Sequence, residues 1–368
     1  MNNKKIALYL PTLGGGGAER FMVRLANGLA ERKCNVDLVV VNAVGPNLER
    51  VSERVNIVDL GCSRVLFSFP KLVHYLLKVK PTSMISTQNH ASMMAILAHA
   101  VSFSRSNLFI RQATILNTTE ETKKSFKIIQ KLFFYLAKKT DMVIATTEKM
   151  KREFLEESKL SVKKVVVIPN PISIDSVARL SKEQVTHPWF TNDNIPIIIA
   201  VGRLENVKGF DKLIEAFSLL RAQMPARLVI LGEGSLREPL ESLAKSLNVS
   251  SHIWMPGFLS NIYPYLSGAD VFALTSDYEG FPNGMLEAMA CGTSVVAFNC
   301  PGGVSEILED GNWGALVRPG DLQELSKALH TALISTENPD TILRAKDFSF
   351  DLVIEKYLEL LLPNNKCR

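Results

Sequence analysis

Three features of the sequence predict an α/β fold of two Rossmann-like, doubly wound domains. Short apolar runs alternate with longer helix-period segments along most of the chain. Glycines follow the first apolar run, KIALYL at 5–10, and lead into a helical segment, the opening of a Rossmann-like unit. A second opening of the same kind, IPIIIAVGRLENVKGFDKLIEAFSLL at 195–220, restarts the pattern after a stretch broken by Pro171 and Pro188. With 368 residues the chain can bury two cores of ordinary size. The expected division is a first domain over 1–175, a connection over 176–194, a second domain over 195–345 and a terminal helix over 346–368.

A chain that is 46% hydrophobic and 21% charged is globular rather than disordered. Its five cysteines, Cys34, Cys62, Cys291, Cys300 and Cys367, form no C-x-x-C pair and are odd in number. That suits a reducing cytoplasm and argues against a disulfide framework or a zinc site. The segment MNNKKIALYLP has too short an apolar part for a signal peptide. Residues 81–104 lack acidic and basic side chains, but Ser, Thr, Gln, Asn and His recur through them, so they are not a membrane span. The net charge of +5 conceals an asymmetry: residues 1–175 carry 26 Lys+Arg against 14 Asp+Glu, the remainder 16 against 23. The basic half carries no finger, knuckle or aromatic-basic RNA motif, so nucleic acid is not the expected partner. An anionic membrane face or a phosphate-bearing acceptor fits it better.

In the first domain, Gly14–Gly17 precede the helical segment AERFMVRLANGLAERK. The loop does not fit the dinucleotide fingerprint, because Glu19 or Arg20 stands where the third glycine belongs and the second strand, NVDLVVVN, ends in Asn42 rather than an acid. NAD is therefore not expected, and no other cofactor is either. Further strands are predicted at 83–86, 107–110, 142–146 and 164–169, and helices near 70–79, 91–101, 122–139 and 147–157. Ligands of such a domain belong at the C-terminal strand ends, which makes Thr87, Gln88, Asn89, His90, Arg111 and Gln112 candidate ligand contacts. KKSFKIIQKLFFYLAKK (123–139) and VLFSFPKLVHYLLKVK (65–80) combine lysines with aromatic and aliphatic residues in the manner of interfacial amphipathic helices. The stretch 170–194 has no sustained period and reads as the interdomain connection.

In the second domain, Arg203 and Lys208 fall in the strand-to-helix loop of 195–220. RLVILGEGSLREPLESLAKSLNV (227–249) and HIWMPGF (252–258) continue the alternation. VFALTSDYEGFPNGMLEAMAC (271–291) then reads as a strand, a Gly/Pro/Asn loop, and a helix from about Asn283. Gly280, Pro282, Asn283 and Gly284 leave bare backbone at a helix N-terminus, where exposed N–H groups and the helix dipole favour phosphate oxygens. Glu279 and Glu287 would repel a phosphate they pointed at, and so are expected to turn aside and accept hydrogen bonds from hydroxyls. An anion seat between two hydroxyl acceptors matches the needs of a nucleotide-sugar. SVVAFN (294–299), a turn at CPGGVSEI, GALVRP (314–319) and a helix over 321–334 capped by Asp321 complete the domain.

The spacing Glu279-x7-Glu287, between an apolar strand and a helix and followed by AMACGTSVVA, resembles the E-x7-E signature of retaining glycosyltransferases of family 4, which have the GT-B fold. VGRLENVKG resembles that family's G-R…K-G segment, and LGGGGAER its N-terminal glycine loop. The resemblance spans nearly the whole chain, most closely over 195–320. It implies that the final helix, FSFDLVIEKYLELLL, crosses back to the first domain, and that Glu279 faces the donor sugar while Glu287 holds the ribose. It further implies that Arg203 and Lys208 neutralise the donor diphosphate, and that Gly15, Gly16, Gly280, Phe281, Asn283 and Gly284 line the donor, with Gly257 and Phe258 against the base. Many relatives carry a His near the Arg111 position, where this chain reads IRQATI, so His90 and Arg111 stand as its acceptor-side candidates.

The sequence has no D-x-D and no His/Cys/Asp cluster with ligand spacing, so two cations rather than a metal are expected to carry the leaving-group charge. The implied reaction is metal-independent, retaining transfer of a hexose or N-acetylhexosamine from a nucleotide-sugar, UDP-linked with GDP-mannose as the other donor, to a lipid-linked or cell-surface glycan. Its setting would be the cytoplasm or the inner membrane face. A UDP-sugar 2-epimerase on the same fold, or a non-catalytic nucleotide-sugar-binding protein, are the alternatives.

Overall fold

Each β-branched or apolar run pairs with its neighbours in parallel, as strands buried on both faces by crossover helices must. The computed structural model describes residues 4–112, 124–191 and 194–362. The chain divides into two units, residues 1–170 with 351–368, and residues 171–350.

The first unit is a seven-stranded parallel sheet of β1 (Lys5–Leu10), β2 (Asn35–Val40), β3 (Asn56–Asp59), β4 (Ser83–Thr87), β5 (Asn107–Gln112), β6 (Met142–Ala145) and β7 (Val165–Val167), in the order β3-β2-β1-β4-β5-β6-β7. The edge strand β3 is missing from the sequence reading because its NIVD is half polar and largely exposed, so it carries no apolar signal. In the middle, β1 pairs with β2 over Lys5–Leu10 and with β4 from Ile6 to Tyr9, and the side chains of Ile6, Ala7, Leu8 and Tyr9 are fully buried. The helix Phe350–Leu361 lies with this unit from Asp351 onward, as the GT-B resemblance implies. Arg32 ties it down through Asp351 (2.5 Å) and Glu355 (3.0 Å), Ser83 Oγ donates to the Leu361 carbonyl, and Tyr357 packs its ring against Phe21.

The second unit is a six-stranded parallel sheet of β8 (Ile197–Val201), β9 (Arg227–Leu231), β10 (Ile253–Gly257), β11 (Val271–Leu274), β12 (Ser294–Phe298) and β13 (Ala315–Val317), in the order β10-β9-β8-β11-β12-β13. One core, with Phe210, Phe217 and Leu228, covers one face; the other, with Phe272, Met285 and Leu286, covers the opposite face. Residues 176–194, read as a connection, belong to this unit. The short helices Ile174–Leu180 and Pro188–Thr191 occupy much of that stretch, and His187 stacks on Trp254 while Phe190 meets Tyr265 edge-on. Aromatic packing against a strand leaves no period in the sequence, which is why the stretch reads as linker. Asp321 caps Leu322–Ile334 by accepting from Glu324 N–H, as its position predicts.

Both sheets share one topology, with the strand order reversing between β1 and β4 in the first and between β8 and β11 in the second. Such switch points leave room at the C-terminal strand ends for a ligand. Among the described residues Cys62, Cys291 and Cys300 are free thiols. The first part of the helix predicted over 122–139 lies outside the described residues, which show it as Lys124–Ala137; Cys367 lies outside them as well. Among the described residues no helix is long and apolar enough to cross a membrane.

Candidate functional site

In the second unit the loops leaving β8 and β11 are stitched together by their backbones. The first forms a tight turn, Asn206–Lys208, that ends on Gly209 in a left-handed conformation (φ 59°). A Cβ on Gly209 would stand 2.2 Å from the Thr275 carbonyl, so the turn packs this closely only because the residue is glycine. Thr275 Oγ1 donates to the Lys208 carbonyl (3.1 Å), and Asp277 N–H to the Val207 carbonyl (2.9 Å). Lys212 is paired with Asp277 on the rim.

This stitching brings together Lys208 and Glu279, 71 residues apart: Lys208 Nζ lies 2.6 Å from Glu279 Oε1. The same oxygen accepts from Ser276 Oγ at 2.7 Å. Glu279 is 9% exposed, and its backbone is fixed on the far side by Pro301 and Gly303. Gly302 runs beside it as an isolated parallel bridge at φ 129°, and a Cβ there would fall 1.4 Å from the Glu279 carbonyl oxygen. Ser276 and the 301–303 turn went unseen as site components in the sequence. The available signals were the serine three residues before the glutamate and the paired glycines of CPGGV.

The helix Asn283–Ala290 starts beside this pair, with no side-chain cap and no acidic residue in its first turn. Gly284 faces the Val201 carbonyl and the Phe272 ring, and an added Cβ would meet them at ordinary contact distances of 3.7 Å. Packing therefore does not demand glycine there; its effect is to leave backbone uncovered at the positive end of the helix. Glu287 is half-buried one turn along, and near it burial, then Glu287 itself, push the Cys291 thiol up to about 12. Arg203 is largely exposed and pairs with Glu205 at 2.8 Å. Gly280 is half-buried in the loop. Gly257 ends β10 with φ 95°, and Phe258 after it is 73% exposed rather than part of the core.

Phe281 is a correction. Its side chain is buried, edge-on to Phe348 with ring centroids 6.0 Å apart, so only its backbone can face a ligand. Arg111 is a second correction. It is 2% exposed, its guanidinium sits 3.7 Å over the Phe21 ring, and it donates to Asn170. Burial drives its pKa down, partly offset by Tyr357. A strand-end arginine enclosed in this way braces β5 against the glycine-loop helix and the C-terminal helix instead of facing an acceptor.

The other first-unit candidates stand at that unit's own switch point. Gly15 and Gly16 are exposed in the loop after β1, which Leu13 N–H anchors to the Val44 carbonyl and Asn47 to the Gly14 carbonyl. His90 is exposed at the start of the helix Asn89–Val101. Before it, Gln88 holds a positive φ of 67° and donates to Glu19 (2.8 Å), whose carboxylate folds back over Gly16. Among the described residues, no group of three or more His, Cys, Asp or Glu could hold a metal ion.

Chemically, the second-unit arrangement offers a cation and the half-buried Gly284 backbone at a helix start for an anion, next to a nearly buried carboxylate whose second oxygen can accept from a hydroxyl. Comparison with known proteins is consistent with that combination. The model of glycosyl transferases group 1 matches residues 181–346, and that of glycosyltransferase family 4 matches residues 15–176. A Campylobacter jejuni protein named N-acetylgalactosamine-N,N'-diacetylbacillosaminyl-diphospho-undecaprenol 4-alpha-N-acetylgalactosaminyltransferase is 27% identical over 345 residues, 90% of each chain. A lipopolysaccharide core biosynthesis glycosyltransferase of Rhizobium meliloti is 27% identical, over 94% of this chain and 96% of its own. Among solved structures, Anabaena HepE in complex with UDP superposes with a TM-score of 0.80 at 21% identity, covering 97% of this chain and 99% of that one.

Proposed function

Since the chain belongs to the GT-B glycosyltransferases of the group 1 and family 4 type and transfers sugar from a nucleotide-sugar, we propose that it is a retaining, metal-independent enzyme moving a hexose or N-acetylhexosamine from a UDP-linked donor to a lipid-linked glycan. The observation that carries this reading is the Lys208–Glu279–Ser276 cluster at the switch point of the second sheet, beside an uncapped helix. Lys208, with Arg203 on the same loop, takes the diphosphate charge as the leaving group departs, and the Gly284 amide at the start of Asn283–Ala290 adds to it. Glu279, already charge-compensated, accepts from donor-sugar hydroxyls, while Glu287 accepts from the ribose. Gly257 and Phe258 lie against the base. The acceptor hydroxyl attacks on the face from which UDP leaves and gives its proton to the departing phosphate oxygen.

A lipid-borne acceptor is supported by the undecaprenol in the name of the Campylobacter relative and by the surface of the first unit. On the helix Lys124–Ala137, Phe133 and Phe134 are buried against Phe154, yet Ile128, Ile129, Leu132 and Tyr135 are exposed among Lys131, Lys138 and Lys139. Leu66 and Phe67, in the second stretch read as interfacial, are exposed too. An apolar stripe flanked by lysines suits the headgroup region of an anionic bilayer at the cytoplasmic membrane face.

The test is release of UDP or GDP from a panel of nucleotide-sugars, with and without undecaprenyl-diphosphate-linked glycans, and with the anomer of the product read by NMR. Transfer that needs both substrates and retains configuration is expected, and Glu279→Ala should lower it at least about a hundredfold. Near-normal turnover by that variant, or conversion of UDP-GlcNAc without any acceptor, would overturn the reading; the latter is the behaviour of a 2-epimerase. Donor binding without turnover under every condition would make the chain a binding protein.

A further inference from the structure

The proposed role of Lys208 creates a problem that the fold answers. Lys208 is the charge partner of Glu279, so a lysine that turns to a donor phosphate withdraws its support from a carboxylate that is 9% exposed. A carboxylate that loses its cation at that depth would swing toward solvent, and that change would misplace the oxygen that holds the sugar.

We infer that Ser276 is a positioning residue that holds Glu279 in place when Lys208 turns to the donor diphosphate. Ser276 is 1% exposed, and its Oγ donates to Glu279 Oε1 at 2.7 Å, the same oxygen that Lys208 contacts at 2.6 Å. Both supports therefore converge on Oε1, leaving Oε2 to accept from a donor hydroxyl. The serine follows β11 directly and lies three residues before Glu279 in the same loop, and the neighbouring Thr275 is occupied with the Lys208 carbonyl. The Glu279 backbone is fixed by Pro301 and Gly303, so the only freedom left to the residue is rotation of its side chain, which the Ser276 hydroxyl restrains.

This inference rests on the proposed donor site, and its test separates the two. Ser276→Ala and Ser276→Thr are compared with wild type for UDP affinity, for kcat and KM with the full nucleotide-sugar, and for the same constants with donors deoxygenated in turn at each sugar hydroxyl. Loss of one hydrogen bond to a charged group should lower kcat about tenfold to a hundredfold in Ser276→Ala. UDP affinity should stay within about twofold, because UDP lacks the hexose, and Ser276→Thr should regain most of the rate. With the donor lacking the hydroxyl that Glu279 holds, Ser276→Ala should cost almost nothing further, a non-additivity that a merely structural serine would not produce. If Glu279→Ala is inactive while Ser276→Ala turns over like wild type, or if its penalty is the same with every deoxygenated donor, the inference about Ser276 is wrong. If Glu279→Ala itself is fully active, the donor site as a whole is wrong.

Discussion

Replacing Lys208 by Met tests the central pair, because it should affect stability and catalysis through separable routes. Removing one partner of a fully buried ion pair costs about 3–5 kcal/mol. Here the side chains are 24% and 10% exposed, and Ser276 still donates to Glu279, so a cost of about 2 kcal/mol is expected. Adding Glu279→Gln removes the stranded charge, and Lys208→Met/Glu279→Gln should regain most of that loss. Activity should follow the opposite logic: both variants lack the cation proposed to take the diphosphate charge and should turn over at least about a hundredfold more slowly. All three tryptophans, Trp189, Trp254 and Trp313, lie in the second unit, so urea unfolding followed by their fluorescence reports the stability of that unit alone. Release of UDP in the presence of acceptor reports catalysis. A single variant as stable and as active as wild type, or a double variant no more stable than the single, would refute the pairing argument.

Three further outcomes are expected. Gly302→Ala would drive a Cβ into the Glu279 carbonyl from a left-handed backbone, and should lower stability by about 3 kcal/mol or more while weakening donor turnover; wild-type unfolding and kinetics would contradict the geometry. Burial pushes the phenol of Tyr9 up to about 12, with Ser68 donating or accepting at 2.8 Å and opposing the rise. A tyrosine whose folded pKa exceeds its unfolded value of about 10 stabilises the protein fully below pH 10 and loses that contribution as pH rises from 10 toward 12, about 2–3 kcal/mol at most. Tyr9→Phe should therefore show a shallower loss of stability across that window in denaturation at pH 9 and pH 11.5, and parallel curves would count against it. Ile129→Glu with Leu132→Glu should reduce binding to phosphatidylglycerol vesicles at least about tenfold in flotation, without changing the unfolding midpoint; undiminished binding would remove the membrane role of that helix.

Much of the fold was legible because its signals are local. Continuous apolar runs such as Ile197–Val201 and Val271–Leu274 mark strands buried on both faces, and the glycine loop after β1 and the Asn283 helix start lie where their residues predict. The Glu279-x7-Glu287 spacing was legible for the same reason, since a loop and one turn of helix fix it within nine residues. The edge strand β3 and the aromatic packing around His187 were not, because an exposed edge and a packed loop leave no hydrophobic period.

What the sequence determined by itself is thus the alternation of strands and helices, the residues available at each strand end, and the family to which they belong. Which of those residues meet was decided by tertiary structure alone. Lys208 reaches Glu279 because β8 and β11 are neighbours in the sheet although two strands separate them in the chain, and Ser276 joins them because Thr275 and Gly209 lock the two loops. The same rule sends Arg111 and Phe281, both written beside functional neighbours, into the interior. Side-chain direction at a strand end or loop depends on which elements pack across it, and that information resides in the long-range pairing of strands rather than in any local run of residues.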